Sequence, residues 1–426
     1  MSSKAKTTAT QEEATPALVP KLRFPEFRGA EGWKPVTLEE ASTPVTERVG
    51  ERKLTPVSIS AGIGFVPQAE KFGRDISGNQ YQVYTLVRDG DFVFNKGNSL
   101  KFPQGCVYLL QGWGQVAAPN VFICFRLKDG YSNGFFQQCF EQNQHGRELK
   151  RHITSGARSN GLLNISKETF FGVVIPTPSP AEQQKIAECL SSVDDLIAAQ
   201  AQKVDALKTH KKGLMQQLSP REGETQPRLR FPEFQNAGEW VTEALGQLTS
   251  YENGKAYEQD ITENGKYVVV NSRFISTDGA VRKYTNADYL IAKTCEVLMV
   301  LSDLPKGKAL AKCYFVEADD RYAVNQRVCR LKPTRVDGKF LYYILNRHPR
   351  LLAYDDGLNQ THLSKGSVTE CPLCVPVEKA EQQRIAACLS SLDTLITLET
   401  QKLEALKTHK KGLMQQLFPS TGEVEA

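Results

Sequence analysis

The sequence predicts an α+β chain: two globular regions separated by two long antiparallel helices that form a coiled-coil spacer, arranged as an internal repeat with pseudo-two-fold character. Three observations carry this. Two blocks of sequence occur twice, one of them follows a heptad pattern, and the stretches between them mix short β-type runs with turn signals.

The first block, Leu-Arg-Phe-Pro-Glu-Phe at 22–27, recurs at 229–234, and its register holds through Trp33/Trp240 and Leu38/Leu245. The second, 182–218, recurs as 381–417 with 27 identities in 37 positions, and 206–218 matches 405–417 without a change. Between the blocks the two halves diverge. A chain that keeps its connectors alike while its globular parts differ is one scaffold presenting two surfaces. The layout predicts a tail at 1–19, a first globular domain at 20–178, a spacer helix at 179–219, a second globular domain at 220–377, a second spacer helix at 378–418 and a tail at 419–426.

The spacer helices follow from periodicity. Ile186, Leu190, Val193, Ile197, Gln200, Val204, Leu207, Lys211, Leu214 and Leu218 alternate steps of four and three, which is a heptad seam. Ile385, Leu389, Leu392, Ile396, Glu399, Leu403, Leu406, Lys410, Leu413 and Leu417 repeat it. The apolar positions of both seams are the expected packing residues. Ser179-Pro180-Ala181-Glu182 reads as a capping box with proline at the first helical position, while Pro220 and Pro419 mark the stops. Each helix should run roughly 55 Å at about 1.5 Å per residue. One leads away from the first globular region and the other must lead back, so the pair should be antiparallel. Gln200, Glu399, Lys211 and Lys410 interrupt the seam; they either fix its register or sit at an exposed edge.

In the globular regions 92–94, 121–125, 267–270 and 296–301 read as strands, and 135–140 and 340–352 as helices. Each region ends in a polar loop, 154–160 or 356–362, then a short apolar strand and a spacer helix. The loops carry Arg158, Ser159 and Asn160 in one case and Asn359, Gln360, Thr361 and His362 in the other. These residue types read base edges: arginine pairs guanine, asparagine and glutamine pair adenine. Arg147, Lys150, Arg151 and His152 stand near the first loop; Lys306, Lys308 and Lys312, then Arg321 and Arg327, stand in the second region. One reading is phosphate positioning with base readout. Ordinary turns on a solvated surface have the same composition.

The charge sum, 53 basic against 48 acidic residues or +5, decides nothing about partners. No apolar run approaches the 18 or so residues of a membrane span. The polar stretch 1–20 reads as a disordered tail rather than a secretory signal, and ten scattered cysteines fit reduced thiols in the cytoplasm. No phosphate-binding P-loop is present, and no adjacent prolines exist to build the Asn/Asp-Pro-Pro-aromatic site of amino-methyltransferases. Gly62-Ile63-Gly64 is a lone Gly-x-Gly, and Cys371-Pro372-Leu373-Cys374 lacks a second pair for zinc. His210 and His409 sit beside lysines as on a solvated basic face. The expectation is a chain with no catalytic residues, no metal and no cofactor of its own.

The Leu-Arg-Phe-Pro-Glu-Phe openings, Ala-Glu-Gln-Gln-Lys/Arg-Ile-Ala at 181–187 and 380–386, and Lys-Lys-Gly-Leu-Met-Gln-Gln-Leu at 211–218 and 410–417 together resemble the specificity subunit of type I restriction-modification systems. Gly357 to Lys365 looks like the loop that closes a target-recognition domain in that family; 155–165 departs further from it. The resemblance implies two target-recognition domains, each reading half of a bipartite double-stranded DNA sequence, with the helices setting the gap. It also implies two modification subunits that bind S-adenosylmethionine and methylate adenine N6, and restriction subunits that use ATP and Mg. The competing reading is a coiled-coil protein–protein adaptor without DNA specificity, which salt-dependent duplex binding would separate from the first.

Overall fold

The computed structural model describes residues 18–97, 102–153, 163–304 and 307–419. The chain divides into two compact units, one made of the residues up to Ala199 together with those from Leu403, the other of Gln200–Lys402.

In unit one the central strand, Asp91–Asn95, lies between Ile123–Leu127 and Cys106–Leu109, with Ser42–Pro44 at the far edge and every pair antiparallel. A second sheet runs Gly64–Pro67, Thr55–Ser60, Gln115–Ala118, Thr85–Arg88, and its 55/115 pair is parallel. Unit two repeats the plan. Thr249–Asn253, Val328–Pro333, Val297–Val300 and Cys313–Phe315 form the antiparallel sheet. Its second sheet contains a parallel pair, Tyr267–Val270 with Tyr322–Val324.

The central strands read as unbroken apolar runs because each has a core on both faces. Phe92 and Phe94 join one cluster while Val93 joins another. Val297 and Met299 likewise pack away from Leu298 and Val300. Alternation of side chains along a strand delivers successive residues to opposite cores.

Two expectations need correction. The strand expected at 121–125 begins at Ile123, because Phe122 N donates to Pro119 O in a turn. The helix expected at 340–352 is two helices, Gly338–Leu345 and Pro349–Leu352. Proline at 349 cannot continue a helix and holds His348 extended, and Arg347 takes φ +60° to make the bend.

The long helices, here α1 (Pro180–Gln217) and α2 (Lys379–Leu417), start and stop as the sequence predicts. Ser179 Oγ accepts from Glu182 N at 3.4 Å, but the reciprocal half of the capping box is absent. The Glu182 carboxylate is committed elsewhere. It receives Arg23 Nε and Nη2 at 2.8 and 2.6 Å, while the same guanidinium donates to Ala30 O and Glu31 O. Unit two reproduces this with Arg230 on Glu381 at 2.8 and 2.7 Å and on Ala237 O and Gly238 O. The next glutamine is equally structural. Gln183 accepts from Ser132 N and donates to Pro178 O; Gln382 accepts from Asp337 N and donates to Pro376 O. The repeated motifs therefore clamp the start of each long helix to its own globular region.

Every apolar seam position is buried or half-buried. The polar interruptions have partners. In unit two, Gln200 Nε2 donates to Glu399 O and Oε2 at 2.9 and 2.7 Å, Lys203 joins the same carboxylate, and Lys211 pairs with Asp393 at 2.5 Å. Partner numbers fall as α1 numbers rise, so the helices are antiparallel there. In unit one Lys410 pairs with Asp194 at 2.8 Å and Glu141 at 3.3 Å. These contacts favour register fixing over a frayed edge.

Candidate nucleic-acid interface

One backbone hydrogen bond recurs in the two units at the exit of a central strand. In unit two, Leu363 N donates to Leu301 O at 2.8 Å; in unit one, Leu163 N donates to Lys96 O at 2.9 Å. The segment that follows each closing loop, at Leu163 and Leu363, is thus tied to the exit of a central strand. In unit two a short antiparallel ladder extends the tie, with Ser302 opposite His362 and Asp303 opposite Thr361.

Carboxylates shape both sides of this structure. Asp303 accepts from Leu304 N, Ala309 N and Leu310 N at 2.9, 2.6 and 3.3 Å, which closes the loop and presents Lys308 to solvent. On the other side Asp356 accepts from Leu358 N, Asn359 N and Asn359 Nδ2 at 2.8 to 2.9 Å. The Asn359 backbone N–H, then its side-chain amide, then the Leu358 N–H hold the Asp356 carboxyl down at about 2. This is the Asx-turn chemistry of a preformed loop. Asp355 accepts from Gly357 N at 2.9 Å and Thr361 Oγ1 at 3.4 Å.

The residues expected to read bases divide on this geometry. Gln360 and His362 are exposed, with one Gln360 amide N–H held by Ser302 Oγ at 3.0 Å. Asn359 is exposed but spends its amide on the loop. Thr361 is 9% exposed, turned inward by strand alternation opposite Asp303, so its side chain does not face solvent as a reader would. Lys312 is committed to Asp278 at 2.8 Å and Ser276 O at 3.3 Å. Arg321 and Arg327 are exposed. In unit one, Arg147, Lys150 and Arg151 are exposed on Gln144–Leu149 and the following turn. Arg158, Ser159, Asn160 and Lys306 lie outside the described residues. Sequence reasoning missed Ser302, which positions Gln360, and the exposed apolar pair Leu304 and Leu358. The Asp-Gly at 356–357 signals the turn; the partnership with 302 carries no local signal.

The remaining motifs are structural. Cys371 is buried with its Sγ 3.7 Å from His348 Nδ1, Cys374 lies half-buried on the strand Pro372–Val375 that follows it, and His210 and His409 are exposed. Among the described residues no group of three or more His, Cys, Asp or Glu is placed to hold a metal, and no helix is long and apolar enough to cross a membrane.

Comparison with known proteins decides the family. The model of the type I restriction modification DNA specificity domain matches residues 78–209 and again 237–408. The chain belongs to this family. A specificity subunit of a type I restriction-modification system, it serves DNA target recognition. It is 24% identical over 287 residues to the type I restriction enzyme MjaVIII specificity subunit of Methanocaldococcus jannaschii, across 64% of this chain and 67% of that one. Its fold is that of the type I restriction-modification S subunit from M. genitalium, with TM-score 0.58 and 14% identity over 95% of this chain and 100% of the other. A chain from a structure on complex assembly and conformational transition of the type I system matches with TM-score 0.55 and 16% identity over 91% and 98%. The likeness to both is one of fold and runs over nearly the whole of each chain.

For the specificity subunit, Gln360→Ala should cost about 1–3 kcal/mol at a single base pair of the target and leave the others unchanged. Lys308→Ala should weaken cognate and non-cognate DNA alike and lower the salt slope by about one. Titrations against single-base variants at several salt concentrations separate the two. An equal loss on every sequence for Gln360→Ala would remove it from the readers.

Proposed function

We propose that each globular unit reads one half of an asymmetric, two-part target in duplex DNA, and that the long helices set the gap between the halves. One observation carries this reading: the antiparallel sheets of the two units have the same strand order, and in both the segment after the closing loop is tied to the exit of a central strand, yet different residues fill the loops. A shared frame with unlike readers suits two different half-sites, so the target is not a palindrome. In unit one Arg147, Lys150 and Arg151 position the phosphates and Arg158, Ser159 and Asn160 read bases; in unit two Lys306 and Lys308 position the phosphates, Gln360 and His362 read bases, and Asn359 holds the loop in shape.

Two modification subunits dock on the helices and methylate adenine N6, and restriction subunits join them to cleave DNA, all in the cytoplasm. S-adenosylmethionine, ATP and Mg belong to those partners, and this chain supplies sequence choice and assembly without chemistry of its own. Two readers on one face of B-DNA stand about one helical turn, roughly 34–36 Å, apart. Helices of roughly 57 Å, at about 1.5 Å per residue, are long enough to span that separation.

Exchanging residues 33–178 for the matching region of another specificity subunit tests the division of labour. Methylation should move to a target with one new half-site and the old one intact. If both halves changed together, modular readout would be wrong.

A further inference from the structure

Leu358 is 80% exposed, the most exposed large hydrophobic side chain among the described residues, and Leu304 is 69% exposed. A single exposed leucine means little on a protein surface. The setting of this one is different. The backbone on both sides of it is fixed: Gly357 N donates to Asp355, and Leu358 N and Asn359 N donate to Asp356. The next residue, Gln360, is anchored to Ser302 on the partner loop. Leu304 stands one residue beyond the two-stranded ladder that joins those loops. Six residues thus hold an apolar tip into solvent beside Gln360 and the cationic Lys308 loop. A preorganised loop loses little conformational entropy on docking, so an apolar tip held this way contributes its full contact when a surface covers it.

Duplex DNA offers one apolar group in its major groove, the C5-methyl of thymine. Glutamine pairs with adenine in that groove. An apolar side chain two residues from Gln360, on the same rigid loop, therefore meets the methyl side of A·T-containing sequence. We propose that Leu358 is a specificity-determining residue that contacts a thymine 5-methyl group in the half-site read by unit two. The inference rests on the half-site reading above and names one contact within it.

The test uses the full chain assembled with its modification subunits, on duplexes in which each thymine of the target is replaced in turn by uracil. This removes a methyl group and nothing else. At one position in the unit-two half-site the native protein should bind about fourfold more weakly, as expected for one buried methyl. Leu358→Ala should bind the thymine and uracil duplexes alike at that position, keep its discrimination in the other half-site, and melt at the native temperature. A Leu358→Ala variant that kept the thymine preference would overturn the assignment. So would a half-site with no methyl-sensitive thymine, or an equal loss on thymine and uracil duplexes together with lost 2-aminopurine unstacking, which would make Leu358 a wedge between bases. Failure of the half-site reading itself shows separately, in the domain exchange.

Discussion

Arg230→Ala should lower the stability of unit two by about 3 kcal/mol, the low end of the cost of breaking a buried ion pair. The Arg230 side chain is 11% exposed and that of Glu381 2%, and four hydrogen bonds leave the guanidinium: two to the carboxylate and two to the carbonyls of Ala237 and Gly238. Without it Glu381 keeps, among the described residues, only Trp240 Nε1, at 3.3 Å, as a side-chain donor, and its charge stays under cover. Differential scanning calorimetry should show one transition shifted down by roughly 6–12 °C, at about 2–4 °C per kcal/mol for a unit of this size. Replacing both partners with apolar residues, Arg230→Met with Glu381→Leu, should recover most of the loss, because no unpaired charge remains. A single variant that melts within a degree of the native chain would show that water screens the pair.

That pair explains why part of the fold is legible in the sequence and part is not. The repeated Arg-Phe-Pro-Glu-Phe and Ala-Glu-Gln-Gln segments stand out because the arginine, the glutamate after the alanine and the glutamine that follows it have the same fixed partners in both units, and neither arginine nor glutamate can drift alone. Their purpose is hidden, since Arg230 and Glu381 lie 151 residues apart in the chain. The central strands are legible because a core on each face demands apolar residues throughout. Their shared order in the two units is not, because a core constrains volume and polarity more than identity. Thr361 looks like a reader by residue type, and strand alternation turns it inward. Gln360 keeps its exposure, but Ser302, which orients it, lies 58 residues away and leaves no local trace.

Removing one heptad from each of α1 and α2 should shorten the unspecified gap in the target by about three base pairs. Seven residues at about 1.5 Å each remove roughly 10 Å of helix, against about 3.4 Å per base pair along the duplex. A whole heptad keeps the seam in phase, so Ile186, Leu190, Ile385 and Leu389 should stay against the cores they now join. Deleting three or five residues instead should rotate the seam and lose assembly altogether. The half-site sequences should not change, because the loops that read them are untouched. A deletion variant that assembled and methylated DNA at the original gap would show that the helices are not the ruler.

The most direct measurement is a genome-wide methylation map of DNA from cells making this chain with its modification subunit. The account predicts N6-methyladenine at one asymmetric motif of two specified parts and a fixed unspecified gap, giving both half-sites and the spacing together. Methylation at a single continuous or palindromic motif, in cells where the two proteins co-purify, would contradict it.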